Sequence, residues 1–150
     1  MSNDLKSVVI LMAEDDADDR LLAKDALQEC GMADNLQFVE NGEDLLDYLQ
    51  RRGKYAGQPP RPRPDVILLD LNMPRKDGRD ALREIKTNPE LRRIPIIVLT
   101  TSSAGVDIER SYELGANSFI SKPVAFDALV SIMRTIGQYW FATTALPGQK

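Results

Sequence analysis

Four short apolar runs, each ending on a residue that carries chemistry, most constrain what this chain can fold into. Val8-Val9-Ile10-Leu11-Met12-Ala13 ends in Glu14-Asp15-Asp16, and Val66-Ile67-Leu68-Leu69 ends in Asp70. Ile96-Ile97-Val98-Leu99 ends in Thr100, and Phe119-Ile120 leads to Lys122-Pro123. Continuous runs of Val, Ile and Leu this short read as strands buried on both faces. Segments of helical period lie between them, and that alternation is the signature of βαβ units and a parallel sheet. Strands are predicted near 7–13, 36–40, 65–70, 95–100 and 117–121, with helices near 18–30, 42–51, 78–87, 104–114 and 125–138. Gly31 is placed to cap the first helix, Asn41 to start the second, and Asn88-Pro89 to stop the third.

In a parallel sheet the C-terminal strand ends lie side by side, at the edge where open α/β sheets place their sites. Here that edge would carry acid, acid, hydroxyl and lysine. Carboxylates converging there repel one another unless they hold a hard cation, and Mg²⁺ is ligated by one or two carboxylates with waters and phosphate. Taken singly, each residue has a plainer reading. A strand-end acid can be a helix N-cap, Thr100 a β-branched strand residue, Lys122 a surface lysine before a turn. Glu14, Asp15 and Asp70 together with Lys122 favour a Mg²⁺ site at which an aspartate meets phosphate. An exposed oxygen of Asp70 can attack phosphorus in line where a metal and a cation neutralise the incoming oxygens. The Lys122-Pro123 bond, at a tight turn, is a candidate cis peptide.

Composition narrows the class. The chain has 150 residues, enough for one domain with a real core, and a net charge of -4, which gives no reason to expect nucleic acid. No apolar stretch approaches the roughly 20 residues that span a bilayer, and the polar start Met1-Ser2-Asn3-Asp4 is unlike a signal peptide. The single cysteine, Cys30, cannot form an internal disulfide and reads as a small core residue, so a reducing cytoplasm is expected. There is no histidine, which excludes Ser-His-Asp and Cys-His catalysis, histidine metal ligands and a phosphohistidine donor role. The stretch from Gly53 to Pro64 holds four prolines interleaved with Arg61 and Arg63 and reads as a solvated, partly extended surface insertion.

Glu14-Asp15, Leu69-Asp70-Leu71-Asn72-Met73-Pro74, Gly78, Thr100 and Lys122-Pro123 occur in an order that resembles the receiver domain of bacterial two-component response regulators, the CheY-like family. The resemblance covers about residues 7–138, with the remainder a short hydrophobic tail, so a single receiver domain is expected over 1–150. It implies a flavodoxin-like (βα)5 three-layer sandwich whose five-stranded parallel sheet has the order 2-1-3-4-5. It implies that Asp70 is the phosphoacceptor and that Asp15 binds Mg²⁺ directly, with Glu14 helping through water and Asn72 giving its backbone carbonyl. Lys122 would hold the phosphoryl group, Thr100 would turn its hydroxyl toward it, and Phe119 would be the switch aromatic. By itself Phe119 reads equally as a core residue. Glu14 departs from the aspartate many members carry, and phenylalanine at 119 lacks the hydroxyl of members with tyrosine. The Arg/Pro loop and the tail are similar to single-domain receivers paired with bacterial phytochromes, which are light-sensing histidine kinases.

Three other readings compete. A phosphatase of the haloacid dehalogenase type needs a second aspartate two residues after the first, where this chain has Asn72, which cannot act as that acid. A flavodoxin-like FMN protein needs a hydroxyl- and glycine-rich phosphate loop, where this chain has Glu14-Asp15-Asp16-Ala17-Asp18-Asp19. A receiver-shaped interaction module without phosphoryl chemistry would not need the intact acid, threonine and lysine set. The tail is too short for an effector domain, so output is expected through protein contact. Val130, Met133, Tyr139, Trp140 and Phe141 exceed one core stripe, and a homodimer through helix five and the tail is expected, against the alternative that the tail folds onto its own core.

Overall fold

A computed structural model describes residues 9–33, 35–59, 63–101 and 104–141, the side chains of Trp140 and Phe141 excepted. Five strands, β1 (Ile10–Ala13), β2 (Leu36–Val39), β3 (Val66–Leu69), β4 (Ile96–Thr100) and β5 (Ser118–Ser121), alternate with five helices. These are α1 (Ala17–Glu29), α2 (Gly42–Gln50), α3 (Gly78–Thr87), α4 (Gly105–Glu113) and α5 (Phe126–Ile136). The strands pair in parallel in the order β2-β1-β3-β4-β5, the flavodoxin-like order.

Side-chain alternation along the strands sorts the apolar residues into two cores. Leu11, Ala13, Ile67, Leu69 and Val98 face α2 and α3, where they meet Leu45, Leu46, Ala81, Leu82 and Ile85. Ile10, Met12, Val66, Leu68, Ile97 and Leu99 face the other way, onto Ala23, Ala26 and Leu27 of α1 and Leu129, Met133 and Ile136 of α5. Both faces of β1, β3 and β4 are therefore covered, which is why their sequences read as continuous apolar runs. Burying one such side chain is worth about 1.5–3 kcal/mol.

The helix starts explain how the loops are held. Asp16 accepts from the backbone N–H of Asp18 and Asp19, Asn41 from Asp44, and Asp77 from Arg79, so α1, α2 and α3 each begin on a side-chain cap. After α1, Gly31 takes φ +74° and its N–H returns to the Gln28 carbonyl, the expected glycine stop. Gly78 matters most for the site. A Cβ there would lie 2.3 Å from the Asp70 carbonyl oxygen, so only glycine lets α3 start directly against the end of β3.

Three expectations change. Strand one is shorter than expected: β1 starts at Ile10, Val9 lies outside the ladder, and residues 7 and 8 lie outside the described chain. The Arg/Pro insertion is not wholly solvated. Gly53–Tyr55 forms a 3₁₀ turn, the Tyr55 ring packs edge-on against Tyr48 at 5.2 Å, its hydroxyl donates to Asp44 at 3.0 Å, and Pro64 is buried. Residues 60–62 lie outside the described chain. Finally, Val130 and Met133 are consumed by the protein's own second core, because α5 needs a full apolar stripe to cover that face of the sheet. Past α5 the chain continues as a π-helical turn, Gly137–Phe141, from which Tyr139 projects 57% exposed.

Cys30 sits at the end of α1, half-buried against the second core, with its thiol directed at the Val130 carbonyl (3.6 Å). No described helix is long and apolar enough to cross a membrane.

Candidate phosphoryl and metal site

Register carries the four chemical residues to one edge. Ala13 pairs with both Val39 and Leu69, and Thr100 pairs with Ser121. Hydrogen bonding continues past the strand ends: Glu14 N–H donates to Val39, Asp70 N–H to Ala13 and Lys122 N–H to Thr100. Glu14, Asp70, Thr100 and Lys122 are thus placed by sheet backbone, the most rigid part of the fold. Asp15 follows Glu14 into the first loop and is exposed.

One carboxylate oxygen each from Glu14, Asp15 and Asp70 lies within 4.8 Å of the others. Three acids this close, two of them buried, are hard oxygen donors suited to a divalent cation. Asp70 Oδ1 accepts from the Thr100 hydroxyl at 2.7 Å and from the Asn72 N–H at 3.3 Å. Its Oδ2 lies 3.5 Å from Lys122 Nζ. The ammonium also donates to Glu14 Oε1 at 2.5 Å and to Asp19 Oδ2 at 3.1 Å.

Charge follows burial. Burial pushes the Glu14 carboxyl up to about 7; Lys122 draws it down and Asp70 pushes it further up. Burial alone would lower Lys122, but the hydrogen bond it donates to Glu14, the charges of Asp70 and Glu14, and the hydrogen bond it donates to Asp19 hold it above an ordinary lysine. Lys122 therefore stays charged across the neutral range, and Glu14 is the group whose proton lies within reach there.

Phe119 is half-buried against the first core, and its N–H donates to the Tyr112 hydroxyl of α4 at 3.1 Å. The expected cis bond before Pro123 is absent: every described peptide bond is trans. Trans is the lower-energy form by about 0.5–1 kcal/mol, and the turn closes without isomerisation through the Lys122 N–H to the Thr100 carbonyl. Two residues that the sequence reading passed over join the site. Asp19 reaches Lys122, and Arg20 donates Nη1–H to the Glu14 carbonyl at 2.8 Å. Both stand in the first turn of α1, where acids normally signal only the helix dipole. A cavity of about 520 Å³ lined by Tyr48, Tyr55, Leu91 and Ile94 opens near the edge where β3 and β4 begin, away from these acids.

The chain matches the family model of the response regulator receiver domain over residues 10–134. Response regulator Rcp1 of Synechocystis sp. is 40% identical over 139 residues, which span 93% of this chain and 92% of that protein. Its Mn²⁺-bound crystal structure superposes with a TM-score of 0.84 at 40% identity, covering 94% of this chain and 99% of that one. The phosphorylated cyanobacterial phytochrome response regulator RcpA gives 0.86 at 40% identity, with the same coverage. A response regulator in red light signalling of R. palustris gives 0.87 at 33% identity, covering 95% and 99%. Strand order, acid cluster and these likenesses converge: this chain belongs to the response regulator receiver family of two-component signalling.

Proposed function

We propose that this receiver takes a phosphoryl group on Asp70 from the phosphohistidine of a partner sensor kinase. The observation that carries the reading is the surroundings of Asp70. Its Oδ1 is held by Thr100 and Asn72, while Oδ2 faces Lys122 and carries no hydrogen bond from a described residue. Oδ2 is the attacking atom. It forms the new O–P bond as the donor's P–N bond breaks, and that electron pair stays on the imidazole nitrogen. Lys122 meets the charge of the transferred group, and Thr100 supplies a hydroxyl to one of its oxygens. This chain has no histidine, so the donor imidazole belongs to another protein.

Asp15 and Asp70 would hold Mg²⁺ directly, Glu14 would help through water, and Asn72 would add its backbone carbonyl. When bound, the cation neutralises phosphoryl oxygens that the acids would otherwise repel. Transfer draws Thr100 toward the phosphoryl group and shifts Phe119 inward, a population shift between two packings. This chemistry is the domain's own phosphorylation and dephosphorylation; it turns over no separate substrate. The phytochrome relatives support a light-sensing kinase as the upstream partner, and the single cysteine supports a reducing cytoplasm. Output through a homodimer would use the apolar residues that α5 and its extension leave outside, Phe126 and Tyr139, not Val130 and Met133.

The test is phosphate incorporation from acetyl phosphate, with Mg²⁺ and then with EDTA, on wild type and Asp70→Asn. Mg²⁺-dependent, alkali-labile labelling lost in the variant is expected. Labelling unchanged in Asp70→Asn refutes the assignment.

A further inference from the structure

Lys122 is bound by more carboxylate than phosphoryl transfer needs. An ammonium has three N–H donors, and here three acids surround it: Glu14, Asp19 and Asp70. Asp19 stands apart from the acid cluster that fits a cation, and among described residues Lys122 is the one donor to its carboxylate. Its place is fixed. It lies in the capped first turn of α1, its own N–H bonded to Asp16 Oδ1 at 3.2 Å, so its carboxylate projects into the seam between α1 and the end of β5. A gap of about 30 Å³ lined by Leu22, Leu99, Pro123 and Leu129 lies along the same seam, leaving the lysine stem room to swing.

We infer that Asp19 is a positioning residue that holds Lys122 on the α1 side of the cleft and competes with the incoming phosphoryl group for it. The inference rests on Asp70 being the phosphoacceptor. At 3.5 Å from Asp70 Oδ2 the ammonium makes no hydrogen bond there, so it must shift toward Asp70 to meet a phosphoryl group, against the hydrogen bonds it donates to Glu14 and Asp19. Of the three contacts, that to Asp19 opens at least expense: its side chain is 36% exposed against 1% for Glu14 and 8% for Asp70, so water solvates it on release. Transfer therefore moves Lys122 from Asp19 to the phosphoryl oxygen and unties α1 from the β5–α5 turn. A partly exposed ion pair corresponds to a factor of about 1.5–5 in equilibrium, and that is the size of the brake.

The experiment compares the rate of labelling by acetyl phosphate in wild type, Asp19→Asn, Asp19→Glu, Asp18→Asn and Asp70→Asn. In parallel, ¹⁵N spectra record the Lys122 Nζ resonance in the metal-free proteins. Asp19→Asn is expected to label about 2–5 times faster and to shift the Nζ resonance. Asp19→Glu is expected to return both toward wild type. Asp18→Asn, which removes the same charge one residue away without touching Lys122, should stay within about 1.5-fold, which separates the contact from a general loss of negative charge. Wild-type labelling lost in Asp70→Asn, with Asp19→Asn unchanged in rate and resonance, overturns the role of Asp19 alone. Equal acceleration in Asp18→Asn and Asp19→Asn does the same. Labelling that survives Asp70→Asn overturns the phosphoacceptor reading and this inference with it.

Discussion

Ionising Glu14 works against the fold, and replacing it gives a sign that denaturation can read. Burial and the Asp70 charge raise its carboxyl from 4.5 to about 7 although Lys122 lies beside it. At about 1.4 kcal/mol per pH unit, that displacement amounts to about 3 kcal/mol. The folded-state value lies above the unfolded one. The stability contributed by the protonated group is therefore fully present below pH 4.5 and is lost as pH rises through about 7. Glutamine keeps the shape and never ionises. Metal-free Glu14→Gln should thus gain on wild type by about 3 kcal/mol between about pH 4.5 and about pH 8.5. For 150 residues that is roughly 6–12 °C in Tm. The quantity to read is the change with pH in the difference between the two proteins, because a constant packing effect then cancels. Urea or thermal unfolding in EDTA supplies it. A divalent cation should reverse the ranking at high pH, since it binds the ionised site of the wild type and stabilises that state by mass action. Parallel stability curves in EDTA, or a wild type that gains on the variant as pH rises, would refute the account of Glu14.

Three further substitutions test how the site is mounted. Gly78→Ala would put a Cβ 2.3 Å from the Asp70 carbonyl, so a loss of about 1–3 kcal/mol by urea titration and a several-fold drop in labelling rate are expected. Arg79 forks between Asp77 and Asp107 and ties the start of α3 to α4. Arg79→Ala should change global stability by no more than about 1 kcal/mol while amide exchange in α4 accelerates, and unchanged exchange there would count against the tether. Leu27→Ala hollows the second core and should lower stability by about 2–5 kcal/mol, with labelling per folded molecule unchanged because Leu27 is remote from the acid cluster.

The parts of the fold that were legible share one property: the residue's own neighbours in sequence determine its place. Buried parallel strands need unbroken apolar runs, so β3 and β4 stand within one residue of where their Val, Ile and Leu put them. Asn41, read as the start of the second helix, caps it by reaching three residues along the chain, a distance a sequence displays. Asp70 and Lys122 were visible because a strand end is a defined place in a parallel sheet. What stayed hidden depends on contacts across large separations. Asp19 meets Lys122 across 103 residues, and nothing near either announces the pairing. Tyr55 looked solvated within its Pro/Arg loop because its partners, Tyr48 and Asp44, belong to another element. Val130 and Met133 looked surplus because the width of the stripe α5 must bury depends on how α1 lies beside it.

The same contrast bears on where a signal can leave the site. α1, α2 and α3 present several buried apolar residues to the sheet and start on side-chain caps, so moving any of them breaks core packing. α4 buries only Ser111, starts at Ala104 without a side-chain cap, and leaves Val106 73% and Tyr112 50% exposed. Polar ties hold it instead: Asp107 to Arg79 on one side, and the Tyr112 hydroxyl to the Phe119 N–H on the other. Polar ties near a surface exchange readily with water, whereas apolar packing does not. β5 carries Phe119 at one end of such a tie and leads into Lys122, and β4 ends on Thr100. If Asp70 takes a phosphoryl group as proposed, a rearrangement of Lys122 and Thr100 around it would reach α4 through its weakest attachments. The apolar side chains α4 already exposes would move with it and change the surface offered to a partner.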